Sequence, residues 1–158
     1  MEKRIAPSEK KAQALQAVLQ GQLDGQDGEE ILSTLVRLST ERVIQEALEQ
    51  EQAVALGRER YERREGERGY RNGYEGRTLK TAEGALRVEV PQIRGREEPY
   101  RSELWSQVAK TSDVLKRLIV EMYAGGLSQR DIEYGLEKAL GQFILSKSAV
   151  SKLTDTLT

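Results

Sequence analysis

The last 47 residues, 112–158, constrain the fold most, because they contain three short amphipathic segments in close succession. Each segment opens with polar residues that favour helix N-caps, since their side chains can accept hydrogen bonds from free backbone N–H groups. These residues are Thr111-Ser112-Asp113, then Ser128 with Asp131, then Ser146. Gly125-Gly126 is placed to end the first helix, and Gly141 to end the second in an αL conformation.

Each predicted helix has one apolar stripe. The stripes are Val114, Leu115, Leu118, Ile119 and Met122, then Ile132, Leu136, Ala139 and Leu140, then Val150, Leu153 and Leu157. Short helices with short connections can bury three such stripes only by packing on one another. The sequence therefore predicts a trihelical unit, and Phe143, Ile144 and Leu145 are expected to pack into it.

Charge distinguishes the helices of this unit. The second helix exposes Asp131, Glu133 and Glu137, which would repel phosphates, whereas no acidic residue occurs from Lys138 to Thr154. The third helix carries four polar or basic residues opposite its apolar side, namely Lys147, Ser148, Ser151 and Lys152. Such residues can contact phosphates and base edges, so a helix-turn-helix that binds DNA is one interpretation. A protein-interaction module is the alternative, and the second connection is wider than the usual turn of about 3–4 residues.

Residues 29–56 are the longest periodic segment and predict one long amphipathic helix. Its apolar residues recur at four- and seven-residue intervals, at Leu32, Val36, Val43, Ala47 and Val54. Glu41, Arg42, Glu46 and Glu49 are assigned to the other face. Such a helix can pack within its own chain or form a homodimer through 29–56. A weaker helical segment at 8–20 precedes it, followed by a glycine-rich linker.

Arginine, tyrosine and glycine become frequent after Gly57. Arginine with interleaved tyrosine can grip a nucleic-acid backbone or stack on unpaired bases, and a solvated, charge-rich loop is the alternative. The arginines assigned to DNA are Arg58, Arg60, Arg63, Arg64, Arg68, Arg71 and Arg77. Five glutamates within 57–80 argue against a pure polyanion-binding surface.

Residues 77–91 predict a small β-hairpin around Glu83-Gly84, because apolar and charged residues alternate from Leu86 to Val90. The Asn72-Gly73 step predicts a turn, and Pro91 is expected to end the strand pairing because it has no N–H to donate. Residues 92–105 are expected to be an irregular connector.

Composition excludes several classes of function. The chain has no cysteine and no histidine, which rules out disulfides, thiolate nucleophiles and Ser-His triads. Its net charge is −1, so any attraction to nucleic acid must be local. No signal-peptide core and no stretch of about 18–20 apolar residues is present, so we expect a cytoplasmic protein.

Four stretches occur in a consistent order: "YERREGERGYRNGYEGRTLKT" (61–81), "GALRVEVPQIRG" (84–95), "EMYAGGLSQRDIEYGLEKALG" (121–141) and "SKSAVSKLTDTL" (146–157). Together they resemble the N-terminal portion of mutator-type transposases of bacterial insertion sequences. The resemblance covers residues 30–158, and 96–111 match the family pattern poorly.

The resemblance implies double-stranded DNA binding at the terminal inverted repeats of a transposable element, during transposition and recombination at the bacterial nucleoid. It also implies a downstream RNase H-like domain, whose Asp-Asp-Glu (DDE) carboxylates hold two divalent metal ions, expected to be Mg. The chain stops at Thr158, so we expect a fragment with no catalytic residue, metal or cofactor of its own. The alternatives are a self-association module and a truncated regulator that competes with intact transposase.

The predicted fold is thus mainly α with a small β-hairpin. It comprises an N-terminal helical region (1–57), a basic Arg/Tyr-rich segment with the hairpin (58–99) and a C-terminal helix-turn-helix domain (100–158).

Overall fold

The computed structural model describes residues 4–21, 28–57, 69–108, 110–140 and 145–155. Its elements are α1 (Pro7–Leu19), α2 (Gly28–Leu56), β1 (Tyr70–Thr81), β2 (Gly84–Arg94), α3 (Glu103–Gln107), α4 (Asp113–Ala124), α5 (Gln129–Leu140) and α6 (Lys147–Thr154). The strands β1 and β2 pair through a two-residue turn and form an antiparallel hairpin. The predicted class, mainly helical with one hairpin, is confirmed. No helix in these described ranges is long and apolar enough to cross a membrane.

The chain divides into two compact units. Unit 1 consists of Met1–Thr78 and Arg87–Val108, and unit 2 consists of Leu79–Leu86 and Ala109–Thr158. The open end of the hairpin therefore belongs to unit 1 and its turn to unit 2. The three-part division of the sequence stays a prediction.

In unit 1, the long helix α2 contacts both α1 and α3. Leu48 of α2 forms a buried cluster with Val88 and Val90 of β2, and the partly buried Leu104 and Trp105 of α3 pack against it. The predicted long helix is confirmed, and it packs within its own chain, which is one of the two arrangements that the sequence left open. Trp105 is the chain's only tryptophan, so its fluorescence reports on the folding of unit 1.

The apolar stripe predicted for α2 is exposed. The prediction that this face of the helix packs within the chain was therefore wrong. Leu32, Val43 and Val54 are 63%, 66% and 68% exposed. The buried residues of α2 lie on a different face and include two polar ones: Gln45, Leu48, Gln52, Ala53 and Leu56. The buried glutamines lie there because they bind the backbone of β2.

Polar side chains of α1 and α2 satisfy the backbone along the open edge of β2. Gln45 Nε2 donates to the Glu89 carbonyl at 2.7 Å, and Gln45 Oε1 accepts from the Glu89 N–H at 2.8 Å. Two residues earlier, the Arg87 N–H donates to Glu41 Oε1 at 2.8 Å, and the Arg87 carbonyl accepts from Lys11 Nζ at 2.6 Å. Because backbone groups at a strand edge need partners, these contacts take the place of a third strand.

The hairpin is longer than predicted, and two local predictions were wrong. Gly73 lies within β1 rather than in a turn, and its φ of +71° is one that glycine adopts readily. Pro91 lies inside β2, which continues to Arg94. Since residues 87 and 89 direct their backbone groups towards α2, Pro91 occupies the next position of that alternation. Its missing N–H therefore faces away from β1 and interrupts no ladder bond.

The predicted irregular connector contains the short helix α3, which Glu51 of α2 holds in place. Glu51 Oε2 accepts from the Leu104 N–H at 2.9 Å, and Glu51 Oε1 accepts from the hydroxyls of Tyr100 and Ser102. Ser102 is the N-cap of α3 and accepts from the Trp105 N–H at 3.0 Å. Burial and the neighbouring Glu51 carboxylate raise the pKa of the Tyr100 phenol well above its usual value.

Unit 2 confirms the predicted trihelical packing, because α4, α5 and α6 all contact one another. Their buried cluster consists of Leu115, Ile119, Ile132, Leu136, Leu145 and Val150. Ala85, next to the hairpin turn, packs against this cluster. Lys80 of β1 accepts a hydrogen bond from the Ser112 N–H at 2.8 Å, so the start of α4 is tied to the hairpin.

The predicted caps of unit 2 are present. Ser112 and Ser146 accept hydrogen bonds from backbone N–H groups three residues later, and Asp131 accepts from both the backbone and the hydroxyl of Ser128. The stripes are narrower than predicted, because Val114, Leu118 and Ala139 are exposed. Gly141, Phe143, Ile144 and Leu157 lie outside the described residues, whereas Leu145 is buried as expected.

Candidate nucleic-acid interface

Helix α6 is a short helix held against the trihelical core by one side. Val150 is fully buried, and the buried Thr154 Oγ1 donates to the Val150 carbonyl at 3.0 Å. Gln129 Nε2, at the start of α5, donates to Thr154 Oγ1 at 3.3 Å. The first turn of α5 therefore lies beside the last turn of α6. At the other end of α6, the Ser146 side chain caps the helix by accepting a hydrogen bond from the Ala149 N–H.

The four residues predicted to contact DNA lie on the solvent side of α6. Lys147, Ser148 and Lys152 are exposed, and Ser151 is half-buried. Ser148 and Lys152 are one helical turn apart and lie opposite Val150. The free N–H groups at the start of α6 add partial positive charge next to Lys147. This arrangement can receive phosphate oxygens and offer hydroxyl groups to base edges.

The acid-free stretch of the sequence, 138–154, ends together with α6. Asp155 follows the helix directly and is exposed, so negative charge begins where α6 ends. Within the ranges that the structure describes, no group of three or more acidic residues is arranged to hold a metal ion.

The structure describes two of the seven arginines assigned to DNA, and both lie in β1 near carboxylates. Arg77 is exposed and pairs with Glu75 at 2.8 Å. Arg71 lines a cavity of about 300 Å³ together with acidic residues of α1 and α2. Their positive charge is thus partly offset within unit 1. The other five, Arg58, Arg60, Arg63, Arg64 and Arg68, lie outside the described residues.

Arg130 is a candidate contact that the sequence did not suggest. It is exposed in the first turn of α5, directly after Gln129, which contacts the end of α6. Arg130 was not selected from the sequence because the acidic residues of the second helix indicated that this helix repels phosphate. Only the contact between Gln129 and Thr154 shows that the first turn of α5, which holds both Arg130 and Asp131, lies beside α6.

Comparisons with known proteins agree with the resemblance read from the motifs. The family described as "Transposase, Mutator family" matches residues 9–158. The transposase for insertion sequence element ISRM5 of Rhizobium meliloti is 36% identical over 115 residues, which are 73% of this chain and 28% of that protein. The transposase for IS406 of Burkholderia multivorans is 35% identical over 111 residues, covering 70% of this chain and 28% of the relative.

A longer match extends over nearly the whole chain. The transposase for IS256 in transposon Tn4001 of Staphylococcus aureus is 27% identical over 147 residues, 93% of this chain and 35% of the relative. The chain thus spans about a third or less of the length of the relatives it matches. With the family matched over residues 9–158, this chain belongs to the mutator family of transposases.

Proposed function

We propose that the chain binds double-stranded DNA at the terminal inverted repeats of an insertion sequence, as the N-terminal part of a transposase. The observation that carries the proposal is the Lys/Ser face of α6, which is exposed opposite the buried Val150. The relatives are transposases for insertion sequence elements, and such an enzyme must distinguish the ends of its element from other DNA.

In the proposed complex, α6 lies in the major groove as the recognition helix of a helix-turn-helix. Lys147 and Lys152 neutralise phosphates, while Ser148 and Ser151 donate to or accept from base edges. Arg130, at the neighbouring end of α5, adds a phosphate contact. The arginines from Arg58 to Arg77 follow the DNA backbone outside the groove.

We assign DNA cleavage and joining to the part of the transposase that the chain does not span. There, an RNase H-like domain with Asp-Asp-Glu carboxylates would hold two Mg ions. The role of this chain is then to bring that domain to the element's ends.

Gel-shift titration tests the proposal, with one duplex that carries the terminal inverted repeat and one with the same bases scrambled. We expect tighter binding to the repeat, and equal affinity for both would remove the sequence-specific role. Lys152→Ala should weaken binding and lower the slope of log K against log salt by about 0.9, as for one lost phosphate contact. Lys116→Ala on α4 is the matched control, and an equal effect of both would refute the assignment to α6.

Two alternatives predict different results. A chain that only self-associates would bind neither duplex. A regulator that occupies the repeats without cleaving them would lower the transposition frequency of an intact transposase when co-expressed with it, and this inhibition should disappear with Lys152→Ala.

A further inference from the structure

One face of α2 is apolar and exposed along most of its length. We call this face the α2 stripe; its residues are Leu32, Val36, Val43, Ala47 and Val54. At 1.5 Å per residue it spans about 33 Å. The other sides of α2 are occupied within unit 1, because α1 packs on one and β2 with α3 on another. The α2 stripe is thus an exposed and largely apolar surface, interrupted by Ser39 and Gln50, on a helix that its own chain already holds in place.

We propose that a second copy of the chain covers the α2 stripe, with the two α2 helices antiparallel and a two-fold axis next to Val43. Val43 lies eleven residues from Leu32 and eleven from Val54, so these three positions are symmetric about it. The same axis pairs Val36 with Gln50 and Ala47 with Ser39, so two polar residues also enter the contact. A two-fold axis there places Val43 against its own copy and each end of the stripe against the opposite end. This pairing is independent of DNA binding.

The period of the stripe suits two straight helices. Leu32, Val43 and Val54 repeat every eleven residues, as do Val36 and Ala47. An eleven-residue repeat corresponds to 3.67 residues per turn, close to an undistorted α-helix, whereas a seven-residue repeat requires left-handed supercoiling. Contacts with β2 hold α2 on its opposite side, so a partner that requires little bending of α2 fits best.

Charges beside the stripe favour the antiparallel orientation. Arg42 and Glu46 form an exposed ion pair at 2.9 Å on one flank, on either side of the proposed axis. The axis brings Arg42 of each copy towards Glu46 of the other, which produces four alternating charges. A parallel pair instead brings this flank against the opposite flank of the second copy, and so loses this complementarity.

Sedimentation velocity over a concentration series tests the association itself. We expect the unaltered chain to dimerise and Val43→Glu to weaken the dimer at least tenfold, because two carboxylates would meet at the axis. Val114→Glu is the matched control, since Val114 is 64% exposed and belongs to α4 rather than to the stripe. A monomer at every concentration up to the solubility limit, or an equal effect of both substitutions, would overturn the proposal.

Cysteine cross-linking tests the orientation, and the chain has no cysteine of its own to interfere. Under oxidation, an equimolar mixture of Leu32→Cys and Val54→Cys chains should yield the mixed disulfide dimer. Each variant alone should remain uncross-linked, because its two sulfurs would be about 33 Å apart along the helices. Cross-linking of Leu32→Cys to itself would overturn the antiparallel arrangement.

Charge reversal gives an independent test of the flanking contacts. Arg42→Glu chains and Glu46→Arg chains should each self-associate more weakly than the unaltered chain, because each brings like charges together across the axis. Their mixture should form the heterodimer preferentially in native mass spectrometry, since all four charges are then complementary. A statistical mixture of homodimers and heterodimers would contradict the proposed contact.

Discussion

The contact between Gln45 and β2 leads to the most direct prediction from the fold. Gln45 is fully buried, and its amide both donates to and accepts from the backbone of Glu89, at 2.7 and 2.8 Å. Gln45→Met keeps the length of the side chain and removes both hydrogen bonds. The N–H and C=O groups of Glu89 would then lose these partners without gaining water.

The magnitude follows from the two groups that lose their partners. A buried backbone group without a partner costs roughly 1–3 kcal/mol, so two cost about 2–6 kcal/mol. Burial of the apolar methionine offsets part of this, because the transfer of an amide into the interior is itself unfavourable. We therefore expect Gln45→Met to lower the free energy of unfolding of unit 1 by about 2–4 kcal/mol.

Urea denaturation followed by the fluorescence of Trp105 measures this free energy, because Trp105 packs in the core of unit 1. Gln13→Met is the matched control: the same substitution at an exposed position of α1 should change stability by less than about 0.5 kcal/mol. Hydrogen exchange should also accelerate at the Glu89 amide in Gln45→Met. A stability equal to that of the control would refute the argument that this glutamine acts as part of the sheet.

Three further predictions concern other elements. Gly69→Ala should destabilise the hairpin by about 1–3 kcal/mol in thermal denaturation, because its Cβ would clash with the Arg94 carbonyl oxygen. Gly76→Ala is the control, since a Cβ there meets nothing within 4 Å. Ser146→Ala should cost about 1 kcal/mol by removing the N-cap of α6, while the exposed Ser148→Ala should cost little; equal melting temperatures would contradict this role. Because the pKa of Tyr100 is raised in the folded state, its contribution is complete below the ordinary value of 10.0 and is lost as the pH rises above it. The free energy of unfolding of the unaltered protein should therefore fall as the pH rises above 10.0, and this part of the fall should be absent in Tyr100→Phe.

The trihelical unit could be predicted from the sequence because the signals that define it are local. Ser112 and Ser146 cap their helices through backbone groups three residues away, and Gly125-Gly126 ends α4 where expected. The apolar side of α6 could be inferred in the same way, since Val150 is buried at helical spacing from the cap. These features depend on residues within one or two turns of each other.

The packing of unit 1 could not be predicted in this way, because its determinants are distant in sequence. The burial of Gln45 depends on Glu89, which is 44 residues away, and Glu51 holds α3 through Leu104, 53 residues away. Hydrophobic periodicity therefore indicated the wrong face of α2. It identified the exposed stripe, because apolar residues occur on several sides of α2 and the buried side also contains glutamines.

The polar face of α2 also explains how helix and strand stay in register. Four residues of an α-helix rise about 6 Å, and two residues of a strand advance about 6.6 Å. Glu41 and Gln45 are four residues apart, and they bind Arg87 and Glu89, which are two residues apart. The Glu41 carboxylate and the Gln45 amide therefore each meet the backbone of one residue of β2. Apolar side chains on this face would tolerate a shift along the strand, whereas directional hydrogen bonds allow only this register. They also cover an edge that would otherwise be free to pair with another strand. The proposed dimer accordingly uses the apolar stripe on the other side of α2 rather than this edge.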